Sequence, residues 1–97
     1  MSLLDSLFLP KRQNILNLAS AHGARNVRVF GSVARGTESP ASDIDLLVDM
    51  DAERGLIERI ALKQDLEDLL GRPVDLVADR TLSPYLREAI LAEARPL

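Results

Sequence analysis

Two aspartates one residue apart, Asp43 and Asp45, open an apolar run that reads Asp43-Ile44-Asp45-Leu46-Leu47-Val48-Asp49-Met50. Alternate side chains of a strand share a face, so the two carboxylates would point the same way, with Cα atoms roughly 6 to 7 Å apart. Ile44, Leu46 and Val48 would take the opposite face. Carboxylates held that close repel, and partial burial raises the cost of ionising both, unless a cation lies between them. All-oxygen ligation, with waters and substrate phosphates completing the shell, suits Mg²⁺. Asp75 is the one polar residue in Pro73-Val74-Asp75-Leu76-Val77. A parallel strand beside the pair would bring it to the same cluster, and three converging acids suit chemistry in which two ions ~3.5 to 4 Å apart clamp attacking and leaving oxygens. The plainer alternatives are a solvated strand end or turn cap for the pair, and a water-facing edge residue for Asp75. A calcium-binding EF-hand loop is excluded, because its fifth and sixth positions require an oxygen ligand and glycine, and Leu47 and Val48 stand there.

Gly31-Ser32 lies just upstream and ends a short apolar run. Backbone N–H groups at such a turn can approach an anion without a Cβ in the way, and the serine hydroxyl adds a donor. Arg35 can reach a phosphate with its bidentate fork. Arg25, Arg28 and Arg35 surround the turn in sequence and define an expected local positive site for one small anion. Gly31 to Gly36 fits the spacing of a P-loop, but that motif continues with Lys and Ser or Thr, whereas this chain continues Thr37-Glu38. The P-loop is excluded.

The elements that must position these residues follow from periodicity. Ile15, Leu18, Ala19 and His22 fall at helical spacing with Gly23 as a stop, predicting a helix that begins near Pro10. Residues 27–30 (Val-Arg-Val-Phe) and 43–50 read as strands, joined by a loop with room for one short helical turn after Ser32. Leu62, Leu66, Leu69 and Leu70 define the longest helix, ended by Gly71 and Pro73. Residues 73–79 make a third strand, and Leu82, Leu86, Ala89 and Ile90 a closing helix with Ser83-Pro84 at its start. The predicted order is αββαβα, an α/β (α+β) domain whose small mixed sheet carries helices packed on it. Strands one and two should be antiparallel, and strands two and three, joined through a helix, parallel.

Bulk properties narrow the function. A chain of 97 residues supports one core, so residues 1–97 are read as a single domain. No segment reaches the ~20 apolar residues of a membrane span, and Asp5 ahead of any basic residue speaks against a signal peptide. The absence of cysteine rules out disulfides and thiolate metal sites and suits the cytoplasm. A net charge of -3 and only three aromatic residues argue against an extended nucleic-acid surface. The apolar Leu3, Leu4, Leu7 and Phe8 are expected to pack as a first helical turn, with an exposed docking surface as the alternative. His22 reads as a helix cap or surface residue, and Tyr85 as a packing residue.

Taken together, Gly31-Ser32, ten intervening residues, Asp43-Ile44-Asp45 and a later strand aspartate resemble the signature of the polymerase-β-like nucleotidyltransferases. Over its whole length the chain resembles a minimal nucleotidyltransferase, the type found as the antitoxin half of HEPN/MNT toxin-antitoxin pairs. The resemblance implies that Asp43, Asp45 and Asp75 are catalytic and hold Mg²⁺, as two ions, and that Gly31, Ser32 and Arg35 bind the phosphates of ATP. It implies transfer of AMP onto a hydroxyl of a partner, the tyrosine of a HEPN toxin, which would dock from outside because no element is left over to hold it. Two other classes remain open at this stage: an antitoxin or nucleotide-binding module that acts by contact alone, and a structural α/β domain with solvated aspartates.

Overall fold

A computed structural model describes residues 4–37, 39, 42–51 and 53–97, with Leu4 and Asp5 described in the backbone only. A π-helical turn, Leu4–Phe8, runs directly into helix α1, Leu9–Ala21. Phe8 is fully buried and Leu7 packs against the core, as expected of this segment. Leu3 and the Leu4 side chain lie outside the described residues.

Strand β1, Ala24–Phe30, leads into a one-turn helix α2, Gly31–Arg35, and then into strand β2, Ile44–Met50. Helix α3, Leu56–Leu70, and strand β3, Val74–Ala78, follow. Gly71, in the left-handed region at φ 69°, donates its N–H to the Glu67 carbonyl at 2.8 Å and ends α3 where the sequence expects a stop. A 3₁₀ turn, Asp79–Thr81, precedes helix α4, Pro84–Glu93, whose N-cap Ser83 accepts a hydrogen bond from the Leu86 N–H. The chain closes on a two-residue strand β4, Arg95–Pro96. The predicted order is therefore observed: α2 occupies the short helical turn for which the loop had room, and the π-helical turn, the 3₁₀ turn and β4 are additions.

The sheet order is β3-β2-β1-β4, with β1 antiparallel to β2 and β4 and β2 parallel to β3. Both predicted strand orientations hold. Ile44, Leu46, Val48, Val74, Leu76, Val27 and Val29 build one face, against which α1 places Ile15 and Ala19 and α3 places Leu62, Leu66 and Leu70. Period-2 alternation in the strands and a 3.6-residue stripe on each helix meet here, which explains why apolar burial fixes the register. By the same alternation the opposite face carries Asp45, Leu47 and Asp49 of β2, with Phe30 opposite Asp45 and Arg28 opposite Leu47. Phe30 and Leu47 are buried but stand apart from the main cluster.

One irregularity matters for that second face. Between Arg25 and Arg28 strand β1 carries one residue more than β2, which pairs Arg25 with Asp49 and Arg28 with Leu47. Asn26 has a positive φ of 54° at this bulge. A regular strand would send residues three apart to opposite faces; the extra residue turns both arginines toward the aspartate side. Among the described residues no helix is long and apolar enough to cross a membrane.

Candidate active site

The parallel register of β2 and β3 sets Asp45 directly beside Asp75. Asp43 stands immediately before β2, where the Ile44 N–H donates to the Pro73 carbonyl at 2.9 Å and so ties the strand start to the segment entering β3. The three predicted carboxylates are thus brought to one end of one sheet face. Asp45 is half-buried, and its pKa is raised first by burial and then by the negative charges of Asp75 and Asp43. Arg35 lowers it only in part, and Glu93 raises it again. Among the described residues none of the three aspartates makes an ion pair.

Gly31 is pressed against this cluster. It adopts φ +72°, a conformation that favours glycine, and a Cβ placed on it would collide with the Asp45 carboxylate, whose carbon would lie only 2.9 Å away. Glycine is therefore required twice at this position, once by backbone conformation and once by the approach of Asp45. The Ser32 hydroxyl makes no hydrogen bond among the described residues, and the Ser32 carbonyl accepts from the Thr37 N–H at 2.9 Å.

Glu93, at the end of α4, was not among the residues the sequence singled out, and it lies at the centre of this turn. Its Oε1 accepts the Gly31 N–H at 3.0 Å, and its Oε2 accepts from Arg35 Nη1 at 2.9 Å. The Arg35 guanidinium, first of all, and the Gly31 amide hold the Glu93 carboxyl below the usual range. No motif in the sequence reveals this contact, because 62 residues separate the partners.

The expected cluster of three arginines dissolves. Arg35 alone faces the turn; Arg25 pairs with Asp51 at 2.6 Å. Arg28 is buried at the far end of the same face, where it binds Asp49 at 2.7 Å, lies 3.8 Å from Asp79, and donates from Nε to the Asn26 carbonyl. A cavity of about 390 Å³ opens beside this second group, lined by Arg25, Asp49, Asp79, Arg80 and Arg87, and it does not include the acidic pair. His22 caps α1 as expected, but its ring also sits between two carboxylates, Glu58 at 2.6 Å and Asp65 at 2.7 Å. Tyr85 is 82% exposed, so the packing reading of this residue fails: it stands at the first turn of α4, a helix without a buried residue.

The donor set of the acidic end consists of hard oxygens that make no ion pair among the described residues and are only partly offset by Arg35, which fits a divalent cation. Among the described residues no three carboxylate or histidine side chains are gathered closely enough to hold a metal by themselves. A cation here would take few protein oxygens and complete its shell from water and substrate, the habit of Mg²⁺ rather than of a closed calcium cage. Next to it stand an amide N–H, a free hydroxyl and a guanidinium, the donors that phosphate oxygens need.

Comparison with known proteins agrees with this chemistry. The nucleotidyltransferase domain family model matches residues 14–97. The protein adenylyltransferase MntA of Thermococcus cleftensis is 40% identical over 76 residues, spanning 78% of this chain and 77% of that protein. A solved structure assigned as a minimal nucleotidyltransferase superposes with a TM-score of 0.86 at 48% identity, covering 100% of this chain and 97% of the other. A toxin-antitoxin complex with AMP-PNP gives a TM-score of 0.77 at 29% identity, covering 87% of this chain and 69% of that one. The MNT antitoxin in complex with the tri-AMPylated HEPN toxin of Shewanella oneidensis gives 0.70 at 25% identity, covering 90% and 68%. The fold, the site chemistry and these matches converge: the chain belongs to the nucleotidyltransferase family, in its minimal form.

Proposed function

We propose that this protein transfers AMP from ATP to a hydroxyl of a HEPN-type toxin, the side chain of a tyrosine, and thereby acts as its antitoxin. The observation that carries the reading is the Asp45–Asp75 pair, adjacent in register, without an ionic partner among the described residues, and pressed against the Gly31 turn. The adenylyltransferase relative and the AMPylated toxin complex support the choice of nucleotide and partner.

In this reading Gly31, Ser32 and Arg35 hold the β- and γ-phosphates through one amide, one hydroxyl and one guanidinium. Asp43 and Asp45, with Asp75 on the adjoining strand, would hold Mg²⁺. When bound, Mg²⁺ would supply charge neutralisation on the phosphates and make the acceptor hydroxyl easier to deprotonate. Asp75, the most exposed strand carboxylate of the three, takes the proton as the acceptor oxygen attacks the α-phosphorus in line. The new phosphorus–oxygen bond forms as the bond to the bridging oxygen breaks, and pyrophosphate leaves. Residues 1–97 serve as one catalytic domain, and the acceptor arrives with its partner. Positioning and charge compensation do the catalytic work, so no covalent enzyme intermediate is needed.

The test is incubation of the protein with its co-expressed partner, Mg²⁺ and ATP labelled at the α-phosphate, beside an Asp43→Ala, Asp45→Ala control. Label on a partner tyrosine that depends on the two aspartates supports the reading. An unlabelled partner that is nevertheless neutralised by both proteins would replace catalysis with contact.

A further inference from the structure

The same two groups assigned to a substrate phosphate are already engaged by an anion of the protein itself. Glu93 grips the Gly31 N–H with one carboxylate oxygen and Arg35 with the other. A phosphate oxygen cannot use those donors in the same geometry while Glu93 holds them. The charge balance points the same way: Asp43, Asp45, Asp75 and Glu93 crowd one guanidinium, and a triphosphate must enter where the net charge is already negative.

Helix α4 is built to let go. None of its residues is buried, and its contacts with the body of the protein run chiefly to α2 and β1. The pair that ties down its end is itself partly solvated, with the Arg35 side chain 53% and the Glu93 side chain 32% exposed. Ion pairs this exposed contribute little and exchange readily, and elements with few buried contacts open locally at low cost.

We propose that the Glu93 carboxylate is an internal anion seated in the phosphate position of the nucleotide site, so that a triphosphate enters only by displacing it and releasing the end of α4. This rests on the nucleotide-site reading above. The closed arrangement lowers apparent nucleotide affinity by the fraction of time it leaves the site free. Binding of the nucleotide is thereby coupled to the position of α4, whose outward surface carries the exposed Tyr85 and Leu86.

The experiment is the dissociation constant of AMP-PNP with Mg²⁺, measured by calorimetry for the wild type, Glu93→Gln and Glu93→Ala, with amide exchange of α4 as a second readout. If Glu93 holds the site closed about nine-tenths of the time, both variants bind AMP-PNP about tenfold more tightly. In the wild type, nucleotide accelerates exchange at the amides of residues 90–94; in the variants exchange there is already fast. A dissociation constant that is unchanged or weaker in both folded variants overturns the gate, because Glu93 then merely braces the turn. If the wild type and the variants all fail to bind AMP-PNP, the nucleotide-site reading falls together with the gate. Binding by the wild type that the variants do not improve overturns the gate alone.

Discussion

Strand β2 carries Asp45 and Asp49 on one face, four residues apart, and the structure treats them in opposite ways. Asp49 receives Arg28 at 2.7 Å and the Asn26 amide at 3.1 Å, and the neighbouring Asp79 receives Arg87 at 2.6 Å. Asp45 receives a second and a third carboxylate, and its proton affinity rises. The first arrangement satisfies charge within the fold. The second leaves carboxylates without an ion-pair partner among the described residues, the pattern expected of a functional site rather than of a structural ion network.

Substitutions should separate the two ends. Asp45→Asn is expected to lower adenylyl transfer by about a thousandfold, the scale seen when one preorganised electrostatic group is removed. The same variant should melt higher than the wild type at neutral pH. A carboxyl whose folded pKa is raised contributes stability below its unfolded pKa and loses it as pH rises through the folded value, so at neutral pH ionised Asp45 opposes folding. The gain in melting temperature should vanish as pH falls below the unfolded value of 3.8. A neutral-pH melting temperature below that of the wild type would break the contrast drawn here.

Arg28→Met makes the reciprocal case. Removing a guanidinium that is only 11% exposed leaves Asp49 and Asp79 short of a partner, at an expected cost of about 3 kcal/mol in denaturant unfolding. Transfer per folded molecule should persist, because Arg28 lies away from the acidic cluster. Equal loss of activity and stability would mean that the two ends are one unit.

Gly31→Ala sharpens the comparison from the turn. The left-handed strain should cost roughly 1–2 kcal/mol. The added methyl must also push the Asp45 carboxylate aside, so transfer should fall well beyond what that loss of stability explains. The smallest effect is expected outside both ends, at His22. The hydrogen bond to Asp65 and then that to Glu58 raise its pKa above 6.5. Its contribution is complete below the unfolded value of 6.5 and is lost as pH rises through the higher folded value, so His22→Gln should flatten stability against pH in that window and leave transfer unchanged.

Much of this was legible in the chain. The 3.6-residue stripes of Ile15 and Ala19 and of Leu62, Leu66 and Leu70, and the alternation of Ile44, Leu46 and Val48, specify elements because each pattern buries its apolar side in only one conformation. The parallel pairing of the strands that carry Asp45 and Asp75 followed from the helix between them. The two-residue β4 escaped reading because its pairing with β1 has no periodicity of its own to detect.

The sequence by itself determined the element order, the strand orientations and the acidic end of the sheet, since these depend on neighbours in the chain and on apolar burial. Only the tertiary structure decided which charges remain unpaired. The pairing of β1 with β2 set Arg28 within reach of Asp49, and the packing of α4 carried Glu93 across the chain to Gly31 and Arg35. Pairing of charges depends on distances between residues remote in sequence, and no local pattern encodes those distances.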